Sequence, residues 1–405
     1  MRYKIVNTAA KEDPYIIIGN SSYNDGFWKF GYDNLFPQAV AFLNRSASVH
    51  RGILRSKTRY IAGNGFTTTD RRLEPWLQNS NAYGESLKDI TRKLVYDFVS
   101  FGNAYLEIVT NPKKRFLNLY HQDATKCRLS YDKKRIILNH NWKSHNKTSD
   151  KSIPIYPVFE DTLNDGNLRS VIHFKQYEPE YENYGIMDWV AGLNVSSIAY
   201  KTDKWNISRL DNSFNTSGVM IVASEFKSDE DAKEFNEAFD EKFIGEGKQG
   251  QILLITQEPG QTPDTSSRYI PVNQAAEGDW KELHLQSTSD LVIAHGWFRS
   301  LSGIADNTGF DTNRILNEYE VALRTVINDT QEVFLGWFQS IISEILGYDT
   351  LDLSFINTPP FKDKPPYMKI WEARKIDGFE YDENDPEQQK YLASISSKNG
   401  SDNGK

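Results

Sequence analysis

The residues most open to a chemical reading form a glycine-rich loop, Gly245-Glu246-Gly247-Lys248-Gln249-Gly250, whose spacing matches that of a dinucleotide-binding turn. Such a turn cradles pyrophosphate only when it follows a strand and opens a helix, so that the helix N-terminus meets the phosphates. Here an acidic helical stretch precedes the loop and a strand pattern follows it, so the sequence reads as a helix-to-strand turn. The seven histidines are scattered. His140 and His145 lie among Asn and Lys in what reads as an exposed loop, and His121 with Asp123 supplies two metal ligands at strand spacing without a third. Cys127 is the single cysteine, which excludes an intrachain disulfide and a thiolate cluster and leaves a small apolar residue in a strand. Lys113-Lys114-Arg115 and Lys133-Lys134-Arg135 sit beside hairpin turns, where basic residues generally serve to solvate the turn. There is no GxSxG elbow, HExxH helix or Walker A loop. No catalytic residue, cofactor or metal is expected.

The elements that would position these residues divide the chain in two. The first part reads as mixed α/β. After a short apolar run, Tyr15 to Ile18, a helix is predicted from Phe36 to Tyr60, ended by Gly63-Asn64-Gly65. A second helix spans Ser86 to Phe101, with Ser86 as cap, Asp89 three positions on, and Leu87, Ile90, Leu94 and Phe98 at helical spacing. Strands follow at 104–109, 116–120, 126–131 and 135–139, with turns at Asn111-Pro112 and Asp132-Lys133. From Asn183 the texture changes. The stretch from Tyr184 to Asn212 has helical length, and its apolar residues occupy more than one side, which demands partners on more than one side. A compact insert comes next: a strand at 219–222, an acidic helix from Ser228 to Phe243, a strand at 251–256 and a loop at 259–267. A helix is expected from Trp280 to Leu301 and a polar break from Ser302 to Thr312. Asn313 to Leu346 then keeps three- and four-residue apolar spacing almost throughout, a helix of roughly 50 Å at 1.5 Å per residue. A strand at 351–356 and a polar tail close the pattern.

Composition narrows the class. The chain has 405 residues, of which 39% are hydrophobic and 13% aromatic, as expected of a folded chain of two or three units. Its net charge of −8 argues against gripping nucleic acid over a broad surface, since such binding rests on Lys and Arg displacing phosphate counterions. No apolar run near the start resembles a signal peptide, and no window approaches the ~20 apolar residues that cross a bilayer. Cytoplasm, or a particle assembled there, is the expected compartment.

Several segments, in order, resemble the tailed-bacteriophage portal family. Gly31-Tyr32-Asp33-Asn34-Leu35-Phe36-Pro37 and Tyr60-Ile61-Ala62-Gly63-Asn64-Gly65-Phe66 look like the opening of portals from phages of Bacteroidetes-type hosts. Phe101-Gly102-Asn103-Ala104-Tyr105 is similar to a helix-to-strand corner of the portal wing. Tyr184-Gly185, with the helix ending at Phe214-Asn215-Thr216-Ser217-Gly218-Val219, resembles the first stem helix entering the clip. His295-Gly296-Trp297 through Leu301-Ser302-Gly303-Ile304, then Thr308-Gly309-Phe310, resembles the end of the second stem helix and the tunnel loop. Where the family usually carries a proline pair near that helix end, this chain has Trp297-Phe298.

The resemblance implies an α+β portal fold: a wing at 1–182, stem helix 1 at 183–217, a clip at 218–275, stem helix 2 at 276–301, a tunnel loop at 302–312, a long helix and wing strand at 313–360, and a crown-side tail at 361–405. It implies a homo-oligomeric ring, usually of twelve subunits, at one capsid vertex of the virion, passing double-stranded DNA during packaging and ejection. The implied partners are the terminase large subunit, the head-tail adaptor, and the major capsid and scaffolding proteins, with no membrane. Stem packing between subunits is expected of Trp189, Leu193, Trp205 and Trp297, and docking of the clip of Glu230, Glu234, Glu237, Glu241 and Lys248. Asp306, Asn307, Thr308, Gly309 and Phe310 are expected nearest the DNA. The competing reading is a nucleotide-binding enzyme using the 245–250 loop. A head-tail adaptor would be much shorter, and an aromatic-rich carbohydrate-binding module would be mostly β. Deleting Ser302–Thr312 should impair packaging or genome retention, scored as DNA-filled particles.

Overall fold

The computed structural model describes residues 2–3, 26–211, 218–223, 230, 233–235, 237–238, 252–257, 268–271, 277–304, 312–348, 350 and 352–361. The structure is mixed helix and sheet, as the sequence implies.

The first expected helix is two. Helix α1 (Phe36–Ser46) has a proline in its first turn, and α2 (Ser48–Ala62) ends at Gly63, with a φ of 61°. Between them Ala47 is extended, at φ −91° and ψ 111°. No glycine or proline marks this break; packing imposes it. Phe36, Val40, Leu43 and Ala47 belong to one apolar core, whereas Ile53, Leu54, Ile61 and Ala62 belong to another, so the chain turns to serve both. A strand β2 (Phe66–Thr67) and a short helix α3 (Glu74–Gln78) follow.

Helix α4 (Leu87–Phe101) carries the expected capping box: the Asp89 N–H donates to Ser86 Oγ and the Ser86 N–H to the Asp89 carboxylate. Leu87, Ile90, Leu94 and Phe98 face the larger core. Gly102, left-handed at φ 69°, ends the helix and turns the chain into β3 (Asn103–Thr110), which is buried along its whole length. Strand β3 is the centre of an antiparallel sheet between β4 (Asn118–Gln122) and β8 (Leu168–Lys175). A second antiparallel sheet joins β5 (Cys127–Leu129), β6 (Arg135–Leu138) and β7 (Lys151–Pro154), with Lys133 at positive φ in the expected turn.

Helix α5 starts later than the sequence suggests, at Leu193, and runs to Asp211. Before it, a turn at Asp188–Trp189 and a 3₁₀ turn at Val190–Gly192 replace the expected helix, and Asn103 at the start of β3 holds Gly185 by two hydrogen bonds. Beyond α5, β9 (Gly218–Ala223) and β10 (Ile252–Gln257) pair in parallel and β11 (Arg268–Pro271) pairs antiparallel to β9. A strand that the sequence gives no sign of, β1 (Arg2–Tyr3), adds to the free side of β10. Residues 230, 233–235 and 237–238 are helical, within the expected acidic helix.

Helix α6 (Glu277–Ala294) stops seven residues short of the expected Leu301. Gly296, at φ 54°, turns the chain, and a 3₁₀ turn at Ser300–Ser302 closes on Gly303. The long helix is present as α7 (Thr312–Ala322), a π-helical turn at Leu323–Ile327, and α8 (Asn328–Leu346). Phe334, Phe338, Ile341, Ile342 and Ile345 bury its inner face in the larger core. The expected closing strand shrinks to β12 (Ser354–Phe355), paired with β2. Among the described residues no helix is long and apolar enough to cross a membrane.

Replacing Ser86 with Ala leaves a backbone N–H of α4 without its side-chain acceptor, a loss of about 1 kcal/mol. Chemical denaturation should show that loss with an unchanged m-value.

Candidate functional site

Asn103, directly after α4, is fully buried. Its side-chain N–H donates to the carbonyls of Phe101 and Gly185, both at 2.8 Å, while its amide oxygen accepts from the Gly185 N–H at 2.8 Å. His173 Nε2 bonds the same oxygen at 2.9 Å. Alongside, the Gln176 N–H donates to the Gly102 carbonyl at 2.8 Å. A β-carbon at Gly102 would stand inside 3.0 Å of the Ile186 backbone, and one at Gly185 inside 3.0 Å of Gly102 O and Gln176 N. The two motifs at 101–105 and 184–185 are therefore one joint: the sheet grips the chain just where it leaves for α5.

The motif at 31–37 performs a second fixing task. Asn34 has a φ of 66°, and its side-chain oxygen accepts from the Phe30 N–H. It also accepts from Nε of Arg128 at 2.6 Å, and the Asn34 carbonyl accepts from an Nη of that arginine at 2.7 Å. Arg128 is fully buried, with its guanidinium 4.9 Å from the centre of the Trp142 ring. Carbonyl dipoles and a π-face solvate the cation where water cannot reach.

The start of α5 and the end of α6 meet over α2. Gly192, just before α5, lies against Ala294 at the end of α6, so the helices run antiparallel and touch closely at the base. Lys57 of α2, buried, donates to Asp188 Oδ2 at 2.6 Å and to the His295 carbonyl at 2.9 Å. Ser56 Oγ donates to the Leu301 carbonyl at 2.6 Å and accepts from Trp297 Nε1 at 3.2 Å. This corner is built by Gly296 and a docked tryptophan.

A histidine pair fills the middle of the junction. His50 Nε2 lies 2.8 Å from Asn44 Oδ1, an atom that only accepts, so Nε2 bears the proton. His50 Nδ1 therefore accepts from His295 Nε2 at 3.0 Å, which leaves His295 Nδ1 bare and, among the described residues, without a partner. Trp189 stacks on His295 with ring centres 5.2 Å apart, and its indole N–H donates to the Val99 carbonyl at 2.8 Å. Burial holds His50 down at about 4. Burial, with His50 and Lys57 nearby, pushes His295 well below its ordinary value. Both rings are neutral at physiological pH.

The expected stem residues sit otherwise than the sequence suggested. Trp189 and Trp297 are buried within this chain, Leu193 nearly so, and the three pack into its own cores. No surface of Trp189 is left for a neighbour, so its part is to lock the junction. Trp205 lies on α5. Among the described residues, the large apolar side chains that α5 and α6 leave outward are Ile198, Ile207, Leu285 and Ile293, the last 76% exposed. Glu230, Glu234 and Glu237 are exposed, with Lys233 3.9 Å from Glu237. Glu241, Lys248, the 245–250 loop and Asp306 to Phe310 lie outside the described residues.

The other chemical candidates are structural. His121 Nε2 pairs with Asp97 at 2.7 Å, whose carboxyl is raised by burial, and Asp123 caps a turn through Thr125. His145 stacks on Trp142 and meets Asp150 at 3.1 Å, and His140 is exposed. Lys114, Lys133 and Arg135 pair with Glu344, Glu182 and Glu160. Cys127 is buried in β5. Among the described residues no group of three His, Cys, Asp or Glu could hold a metal. Sequence reasoning missed the His50–His295 pair and Lys57–Asp188, which join residues 245 and 131 positions apart. No local pattern marks such pairs.

Because the folded state refuses protons at His50 that the unfolded chain accepts, the histidine's contribution is full above pH 6.5. It is lost as pH falls toward 4, by about 1.4 kcal/mol per pH unit. The stability advantage of the wild type over His50→Gln should therefore shrink across that window in denaturant titrations run at each pH.

Comparison with known proteins was made against this geometry. The family model described as phage portal protein matches residues 47–262, just over half of the chain. No curated protein matches. Among solved structures, the neck of an empty gene transfer agent particle, computed with C6 symmetry, is 15% identical. The alignment covers 87% of this chain and 93% of that one at a TM-score of 0.50. The virion of the native gene transfer agent particle gives 13% identity, 85% and 94% coverage, and a TM-score of 0.48. An HK97-family phage portal protein from Corynebacterium diphtheriae gives 10% identity, 84% and 97% coverage, and a TM-score of 0.46. At such identities the likeness is one of fold.

Proposed function

The chain belongs to the phage portal protein family, and from that premise we propose that it forms the ring-shaped channel at one capsid vertex through which the phage genome is packaged and ejected. The observation that carries the ring is the set of exposed apolar residues on α5 and α6. These helices cover each other on one side, with Ser196, Ala199, Thr202, Ser287 and Leu291 buried, yet present Ile198, Ile207, Leu285 and Ile293 outward. Ile198 and Ile207, nine residues and so half a turn apart, stand on opposite flanks of α5, so the helix pair offers apolar contact to a neighbouring copy on each side, and repetition of that head-to-tail contact closes a ring.

In this reading residues 1–182 are the wing, 183–217 and 276–301 the stem, 218–275 the clip and 302–312 the tunnel loop. Residues 313–360 brace the wing, and 361–405 lie on the crown side. About twelve subunits form the ring. The clip, through Glu230, Glu234, Glu237, Glu241 and Lys248, docks the terminase large subunit and then the head-tail adaptor. Major capsid and scaffolding proteins hold the wing, and the loop at Asp306 to Phe310 stands nearest the double-stranded DNA. The role is that of a conduit and not of a catalyst, and its place is the virion. A firm wing-to-stem joint suits this role, because the stem must keep its angle while the motor and the packaged genome load the ring.

The purified chain should form rings of about a dozen copies, read by negative-stain electron microscopy and by mass in solution. Leu285→Asp with Ile293→Asp should leave a folded monomer with unchanged far-ultraviolet circular dichroism and abolish the rings. Unaltered rings in that variant would remove the stem flank from the interface.

A further inference from the structure

Between Asp33 and Asp70 the chain contains no carboxylate, in a protein with 55 acidic residues and a net charge of −8. The same stretch contains Arg45, Arg51, Arg55 and Arg59. Arg51, Arg55 and Arg59 recur every four residues along α2, so they stand on one face, about 6 Å apart along the axis. Arg55 and Arg59 are exposed and make no hydrogen bond or ion pair among the described residues. Other basic side chains of this protein are neutralised: Lys114 by Glu344, Lys133 by Glu182, Arg135 by Glu160 and Arg169 by Asp165. On α2 only Lys57 has an acid among the described residues, and it is buried on the opposite face.

The two free guanidinium groups line a cavity of about 590 Å³ with Tyr60, Asn64, Ser302 and Tyr319. Burial raises both tyrosine hydroxyls, so they remain neutral donors. The Asn64 amide offers a further donor. A β-carbon at Gly52 would meet nothing within 4 Å, so the ground between the arginines is open. The face thus offers cations and neutral donors beside the rings of Tyr60 and Tyr319, and two unpaired guanidinium groups do not suit the charge-depleted dry centre of a protein interface. Nucleic-acid interfaces are polar, wet and positively charged.

We propose that the α2 face centred on Arg55 and Arg59 contacts the phosphodiester backbone of duplex DNA. This rests on the portal reading, and it gives that reading a specific point of friction between ring and genome. The wall of the cavity at Ser302 leads directly into residues 305–311, the proposed tunnel loop, so the face adjoins the proposed channel. Arginine forks meet phosphate oxygens in pairs, and they read no sequence when they touch only the backbone. Two such contacts per subunit give weak, salt-dependent and sequence-independent binding, which lets a duplex slide.

The test is fluorescence anisotropy of a labelled duplex against the purified protein between 50 and 200 mM KCl, alongside negative-stain imaging. Arg55→Gln with Arg59→Gln should weaken binding and flatten the slope of log affinity against log salt by about 0.9 per arginine engaged. Arg55→Lys with Arg59→Lys should keep most of the slope. A wild type that binds no duplex, or a Gln pair with an unchanged slope, overturns the proposal. So does a Gln pair that binds DNA normally but no longer forms rings, since the face would then meet an acidic surface of a neighbouring copy. Absence of rings in the wild type as well, with the slope still sensitive to the arginines, would instead count against the portal reading and leave the DNA contact standing.

Discussion

No side chain can stand at Gly102 or Gly185, because the strand-end backbone of one passes against the other with Gln176 between, closer than a β-carbon allows. Asn103 joins the two through a donor pair and an acceptor, so three backbone groups that would otherwise be buried and unpaired are satisfied by one amide. Much of the rest depends on this contact. It fixes how α4 turns into β3, and it anchors Gly185 ahead of the turn on which Trp189 docks. It also sets the point from which α5 departs.

The junction beyond it is polar, and that has consequences. Apolar packing alone would allow α5 and α6 to settle at several angles over α2, since methyl groups slide past one another at small cost. Lys57 bonded to both Asp188 and the His295 carbonyl, and His50 bonded to both Asn44 and His295, tolerate no such freedom. Removing one partner would leave a buried charge or dipole without compensation. The joint is thereby held to one geometry. The bare Nδ1 of His295 is the residual cost of that geometry.

Charge is divided by region in a way the net value hides. The helical residues of the insert present Glu230, Glu234 and Glu237 to solvent, whereas the surface of α1 and α2 contains no acid at all. An overall −8 is thus compatible with an arginine face, because over distances beyond about 10 Å at 0.1 M salt one region's charge is screened from the other's.

Local patterns determined a good deal by themselves. The capping pair Ser86 and Asp89 with the apolar repeat through Phe101 defined α4, and the spacing from Val326 to Ile345 defined the long helix, because caps and helical faces are written within a few residues. The motifs at 31–37, 101–105 and 184–185 marked the right places without saying why they matter. The reason lies in contacts between segments: Asn34 exists to receive Arg128, 94 positions away, and Asn103 to receive Gly185, 82 positions away. The same logic explains what sequence reading misplaced. The break at Ala47, the late start of α5 and the early end of α6 are set by which core each residue must enter. Trp189 and Trp297 looked like inter-subunit residues because apolarity in sequence says only that a side chain will be covered. Which surface covers it, its own chain's or a neighbour's, is decided by the tertiary fold.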